Sequence, residues 1–482
     1  MTGKEGLLPS MLLDDMQYEA DHLADAAVAE ILGPWTPAER CASAQDAVAA
    51  QGPQWQRLAV VTQLLEQWTD NASIAHWNPP DAPVEIVRPL KTYLAAARTL
   101  PDWADLTRIA RAETLFMEHG VLSCTLLFCA SLPECYVVPS VAEVLQTTGQ
   151  LEQHTEYRIR ATGAMIFPVM MRGGLTDPSG AGVAQVLKVR LIHATIRHLI
   201  LRSSPEEAMA ALAGARHVRG AGVVAPLAAE RGPANMHQAL FARGWKLGED
   251  GLPCNQEELA YTLLTFGFVP LRGLRTLGVA LSAADEEATL HAWNVMGHFV
   301  GVRRELMAET MEEAEALFAR MQARGRTRPV ESDCRPALAR ALMQTMENVI
   351  PLRIAKPFPV LLTRRLCGRA ASRDLALDTR VSWLSKLAFV LVMGTIRGID
   401  WLVQRWKSNF SFARLITRVV GYRFLTQMLM DQTRPLKLPQ PVLDRVDRVK
   451  ASWGDDPHAP RWVNALEDRF TVPGSWQPAA ER

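Results

Sequence analysis

The sequence predicts an all-α protein, and three observations carry that prediction. Apolar residues recur at three- and four-residue spacing, most clearly over residues 102–116. Helix-start chemistry repeats: Ser203-Ser-Pro-Glu-Glu, Asn255-Gln-Glu-Glu-Leu and Ser282-Ala-Ala-Asp-Glu-Glu each put a capping side chain ahead of acids in the first turn. Alternating strands are scarce. The best candidate, Tyr136-Val-Val-Pro, is short and broken by Pro139.

A chain of 482 residues with 48% hydrophobic residues can build a large core, which excludes disorder for most of its length. Charge nearly cancels, 52 basic against 51 acidic residues, so nucleic acid is not the expected partner. Punctuation divides the chain into three regions. Residues 1–80 form an acidic N-terminal helical extension closed by Asn78-Pro-Pro, residues 81–325 a long helical core, and residues 326–482 a C-terminal helical region entered through the basic stretch 324–330.

Seven cysteines, none at C-x-x-C spacing, fit a reducing compartment better than a disulfide framework, and exclude a zinc ribbon and a c-type haem attachment. The first thirty residues hold seven acids and one Lys, with no basic segment leading into an apolar run, so no secretory signal is visible. The expectation is a cytoplasmic or peripheral-membrane protein, or a secreted one if an export leader is missing from this chain. Residues 387–396 are apolar but too short to span a bilayer, which needs roughly 20 such residues. Residues 397–423 carry six basic residues, one acid and five aromatics. That composition fits a helix lying on an anionic membrane, and equally a buried helix followed by a solvated basic face.

The motifs of P-loop ATPases, Rossmann oxidoreductases, zincins and α/β-hydrolases are absent, and no two of the eleven histidines stand four apart. One segment stands out, Lys188-Val-Arg-Leu-Ile-His-Ala-Thr-Ile-Arg-His. On a helix Arg190, His193 and Arg197 share a face while the rest is largely apolar. A buried imidazole needs a partner, and two buried guanidiniums need anions. Haem would answer both demands, with iron for His193 and propionates for the arginines. A core His bonded to a carbonyl, with the arginines paired to carboxylates, answers them too. Upstream, Glu156-Tyr-Arg-Ile-Arg-Ala-Thr places Arg158 and Thr162 on one face ahead of an apolar, Met-rich run. The two helices could wall one apolar cavity with a few convergent polar groups.

At these residues the chain resembles the latex clearing protein (rubber oxygenase) family of b-type haem oxygenases. The resemblance rests on Val189-Arg-Leu-Ile-His-Ala-Thr-Ile-Arg, on Arg158-x-x-x-Thr162 about thirty residues before the His, on Asn255-Gln-Glu-Glu-Leu-Ala-Tyr-Thr-Leu-Leu-Thr-Phe-Gly with Leu277-Gly, and on Ala292-Trp-Asn-Val-Met-Gly-His. It covers roughly residues 90–325. It implies a large helical domain with a globin-like core that holds haem b non-covalently, His193 as the proximal iron ligand, and Arg190 and Arg197 as haem-binding residues through the propionates. Arg158 and Thr162 match the family's distal Arg-x-x-x-Thr pattern. Some members place an iron-ligating Lys just before that Thr; here the position is Ala161, which leaves the sixth iron position open or water-filled. Glu143 is the candidate for the family's distal catalytic base, with Glu152 in the same neighbourhood.

The implied reaction is O2-dependent cleavage of carbon–carbon double bonds in poly(cis-1,4-isoprene) or a related isoprenoid, giving aldehyde and ketone products. With no visible export signal, oxidation of a smaller intracellular isoprenoid or lipid at a membrane is the second enzyme reading. A non-catalytic haem or lipid binder is the reading from another class. The expected partners are a hydrophobic isoprenoid substrate and a peripheral membrane contact, for a monomer or dimer.

Overall fold

The computed structural model describes residues 10–404, apart from 150–154, 215–221, 228–234, 280, 328–332 and 351. Helices begin where the capping chemistry places them. Ser204 Oγ accepts the Glu207 amide at 3.2 Å, and the Glu207 carboxylate accepts the Ser204 amide at 3.1 Å, a reciprocal box that opens Pro205–Gly214. Asn255 Oδ1 accepts the Glu258 amide at 2.9 Å at the start of Gln256–Leu277. Ser282 Oγ accepts the Asp285 amide at 3.1 Å at the start of Ala283–Val300. Each cap is worth about 1 kcal/mol. The periodic stretch near residue 102 becomes helix Leu106–Glu118, capped by Asp105, with Ile109, Ala112 and Leu115 turned inward.

Strand is confined, among the described residues, to Val223–Val224 paired antiparallel with Trp245–Lys246. Tyr136 and Val137 end a helix, Leu132–Val137. Val138 then leaves helical geometry (φ −85°, ψ 115°), because the ring of Pro139 disfavours helix in the residue before it. The axis turns by 108° into the next helix, which starts at Pro139. Just upstream, Leu127–Ser131 is a π-helical turn, a local widening that often sits beside functional sites.

One hydrophobic cluster runs from Leu13 to Leu377. At its centre Gln256–Leu277 packs on Ala283–Val300. Gly278 (φ 87°) ends the first of these helices, and the Val279 amide donates to the Leu274 carbonyl at 2.9 Å, a reversal that a left-handed residue permits. Helix Gly182–Leu201, which carries His193, packs against Thr155–Met170, Ala283–Val300 and the N-terminal helix His22–Leu32. The N-terminal region is therefore in direct contact with the histidine helix. Asn71 adds a second tie, its Nδ2 donating to the carbonyls of Gly174 and Asp177 at 2.9 Å.

Helices Arg335–Val349, Phe358–Asp374 and Trp383–Gln404 complete the described chain. No single described helix is long and apolar enough to cross a membrane. The last one leaves Trp383, Val390 and Leu391 largely exposed. Residues 405–423, the greater part of the basic, aromatic stretch, lie outside the described residues. The described cysteines Cys41, Cys129, Cys135, Cys254, Cys334 and Cys367 are thiols outside any disulfide.

Candidate active site

The two faces of helix Gly182–Leu201 have different surroundings. On one face Arg190 grips Asp21 through two bonds, Nε to Oδ2 at 2.5 Å and Nη2 to Oδ1 at 2.7 Å. Gly301 makes room for this pair. It sits at φ +92°, and a Cβ there would lie 2.5 Å from Asp21 Oδ2 and 2.9 Å from Arg190 Nε. Two turns on, Arg197 donates from Nε to both Asp25 oxygens at 3.0 and 3.1 Å, and from Nη1 to the Cys254 carbonyl at 2.7 Å. Arg197 and Asp25 are fully buried. Burial pushes the Asp25 carboxyl above its usual range, and the adjacent Arg197 charge opposes that push.

The expectation for Arg190 and Arg197 is contact with haem propionates. Neither is among the residues lining the cavity, and the carboxylates that meet them belong to the chain itself, at the entry and first turn of helix His22–Leu32. These pairs position the histidine helix, while Arg197 Nη2, buried, keeps no hydrogen-bond partner.

His193, on the neighbouring stripe with Val189 and Ile196, lines a cavity of about 320 Å³. Its Nδ1 is buried and has no hydrogen-bond partner. Burial, and secondarily the Arg197 charge, pushes the imidazole down to about 4. The ring is therefore neutral near pH 7, with a nitrogen lone pair free to bind a metal. Much of the cavity wall is apolar, including Leu132, Val144, Met165, Ile196, Leu263 and Met296. Polar atoms come from Thr162, Thr262, Cys135, Cys254 and Glu258.

Thr162 reaches the cavity as its pattern suggested. Arg158 lies on the same helix, Thr155–Met170, but its side chain, like that of Ala161, lies outside the described residues, as does Glu152. Glu143 does not take the place expected of it. Its Oε2 pairs with Arg243 Nη2 at 2.5 Å, and Val141, Val144 and Leu145 from the same helix face the cavity instead. Helical geometry accounts for the difference, since neighbours three positions apart share a face and Glu143 falls between them.

The carboxylate that does line the cavity is Glu258. It is buried, and its Oε1 accepts a hydrogen bond from Ser140 Oγ at 2.5 Å. In the sequence it appears only as one of two acids that follow the Asn255 cap. Glu257, the other, faces Arg324, whose Nε donates to it at 2.9 Å. Cys254 is a second residue that sequence reasoning missed. It holds a left-handed backbone (φ 51°) at the cavity wall, and burial pushes its thiol up to about 12. Such strain in a residue other than glycine tends to cluster at functional sites. Among the described residues no group of three or more His, Cys, Asp or Glu could hold a metal ion.

Residues 232–398 match the catalytic domain of a family described as ER-bound oxygenase mpaB/B'/rubber oxygenase. A rubber oxygenase from Streptomyces sp. (strain K30) is 24% identical over 261 residues, which are 53% of this chain and 52% of that protein. The match thus spans about half the length of this curated relative. The structure of latex clearing protein LCP in the closed state superposes with a TM-score of 0.52 at 18% identity, covering 95% of this chain and 92% of that one. All three comparisons point to the rubber oxygenases. The resemblance to that family therefore holds, and the all-α architecture is shared with the latex clearing protein. The matched segment 232–398 begins after His193, so the histidine helix enters through the wider structural likeness.

Proposed function

We propose that this protein is a haem-dependent oxygenase that cleaves carbon–carbon double bonds of poly(cis-1,4-isoprene) or a related isoprenoid, giving an aldehyde and a ketone. The observation that carries this reading is His193, a neutral imidazole with an unpartnered buried nitrogen at the wall of a large apolar cavity. An unsatisfied buried polar atom costs on the order of 1–3 kcal/mol and calls for an occupant. A metal carried in its own macrocycle fits a largely apolar site where, among the described residues, no three His, Cys, Asp or Glu come together to hold a bare ion. Haem b, bound non-covalently, supplies the oxygen chemistry; O2 is the co-substrate.

The chain's own residues then have distinct tasks. His193 holds the iron. The apolar wall admits an isoprenoid segment and excludes water, which raises the strength of every polar contact inside. Thr162 adds a hydroxyl to the cavity wall from the helix before the histidine. Glu258, in the role expected of Glu143, would take an allylic proton and give it back before the two carbonyl products leave, and Ser140 Oγ steadies its Oε1. Both atoms of O2 enter the two carbonyl products, so the cleavage needs no further reductant once the iron is reduced.

A second reading has its own observation. Trp383, Val390 and Leu391 are 69%, 63% and 59% exposed on the last described helix. An apolar row of this kind fits the surface of a membrane, where a smaller isoprenoid or lipid would be the substrate.

Oxygen consumption by the purified, haem-loaded protein with solubilised polyisoprene and with short isoprenoid alcohols tests the proposal. Carbonyl products from either substrate support it. Haem uptake without oxygen consumption on any isoprenoid would leave a haem binder instead.

A further inference from the structure

A second, smaller chamber backs onto the cavity of His193. The two share a wall made by Phe266 and Trp293, whose rings stack with centroids 6.0 Å apart and planes 17° from parallel. Gly267 allows this wall to lie close, since a Cβ there would come within 3.1 Å of the Trp293 side chain. The chamber's inner residues, such as Ala112 and Leu271, are buried and apolar, while Ser123 and Thr289 at its rim are half-buried. It therefore runs from near the surface to the back of the aromatic wall.

Its size selects the occupant. The chamber measures about 60 Å³ against about 320 Å³ for the main cavity. An apolar cavity of about 150 Å³ is what a benzene molecule takes, and one isoprene unit is nearly that large. A substrate segment is thus too big for the chamber, whereas a diatomic gas fits. Most of its lining is apolar, with His119, Ser123 and Thr289 as the polar side chains, so a water, which needs two to four polar partners, finds few at the inner end.

We propose that this chamber is a dioxygen-holding site that feeds the His193 cavity past the Phe266–Trp293 wall, so that gas and isoprenoid reach the reaction by separate routes. The inference rests on the oxygenase reading, because dioxygen is the occupant only if the neighbouring cavity consumes it.

The test has two arms. Crystals of the protein under xenon pressure report the chamber directly, xenon being a probe for small apolar cavities. The expected result is xenon between Ala112, Leu271 and Phe266, lost in Ala112→Phe. Oxygen-electrode kinetics on haem-loaded protein then compare the wild type with Ala112→Phe and with Ser123→Phe, a rim substitution that spares the core should the first variant fail to fold. Both should raise KM for O2 on the order of fivefold, with KM for the isoprenoid and kcat at saturating O2 unchanged. No xenon in the wild-type chamber, or an unchanged KM for O2 in a folded plugged variant, would overturn the proposal. A wild-type enzyme that fills the chamber with xenon but consumes no oxygen would instead overturn the oxygenase reading, and with it dioxygen as the occupant.

Discussion

The two faces of helix Gly182–Leu201 carry the same kinds of residue and do opposite things with them. Toward helix His22–Leu32, buried Arg190 and Arg197 meet Asp21 and Asp25. Toward the cavity, His193 keeps a buried nitrogen without a partner. The guanidiniums meet carboxylates of the chain, although Arg197 Nη2 and His198 Nε2 keep no hydrogen-bond partner, whereas His193 Nδ1 stands without a partner at the wall of a cavity. The contrast teaches that a buried polar group marks structure where the chain supplies its counterpart, and marks a site where a cavity stands beside it instead.

Breaking the completed face should have the largest effect on stability. Arg197→Ala strands Asp25 in the core, and removing one partner of a buried pair costs about 3–5 kcal/mol. Chemical denaturation should show it as a lower midpoint, while Arg197→Met with Asp25→Leu should recover much of the loss. If the single variant unfolds like the wild type, the pair is not what holds the two helices together.

Altering the open face should change function more than stability. Glu258→Gln should lower turnover on the order of a hundredfold with haem retained, the scale of a lost general base. Glu143→Gln, turned toward Arg243, should leave turnover within about twofold if stability holds. Steady-state oxygen uptake separates the two, and equal losses would remove the distinction drawn between these carboxylates.

Proton linkage sharpens the comparison further. Burial depresses His193 to about 4 and His198 to about 3. The unfolded chain, with histidines near 6.5, then binds more protons than the folded one between those values. Stability of the apoprotein should be fully present above about pH 6.5 and decline as pH falls through the range toward 4. The raised carboxyl of Asp25 works in the opposite sense as it titrates. Denaturation midpoints at several pH values check this, and His193→Leu should flatten the decline.

The smallest effect belongs to the exposed helix. Val390→Glu should change stability by no more than about 0.5 kcal/mol. Loss of co-sedimentation with anionic vesicles in that variant would support the membrane reading, and unchanged sedimentation would count against it.

How much of this was legible in the sequence follows from how local each signal is. The caps at Ser204, Asn255 and Ser282 act within three residues, so the helices they open could be read directly. Thr162 and His193 could be placed on inward faces by helical period, and both reach the same cavity. The partners of Arg190 and Arg197 lie 169 and 172 residues away, and periodicity fixes a face without saying what meets it. Glu258 was visible only as an acid in a first turn. Its role in the cavity depends on Ser140, brought near by the bend at Val138 and Pro139.

The central claim is that His193 Nδ1 is an unmet demand at the wall of an apolar cavity, and that haem meets it. The most direct test is the visible spectrum of haem-loaded wild type and His193→Ala, oxidised and dithionite-reduced, with the denaturation midpoint of each apoprotein. The account predicts b-type bands in the wild type, their loss in the variant, and closely similar apoprotein midpoints. A variant that binds haem with an unchanged spectrum, or a wild type that takes up no haem, would contradict it.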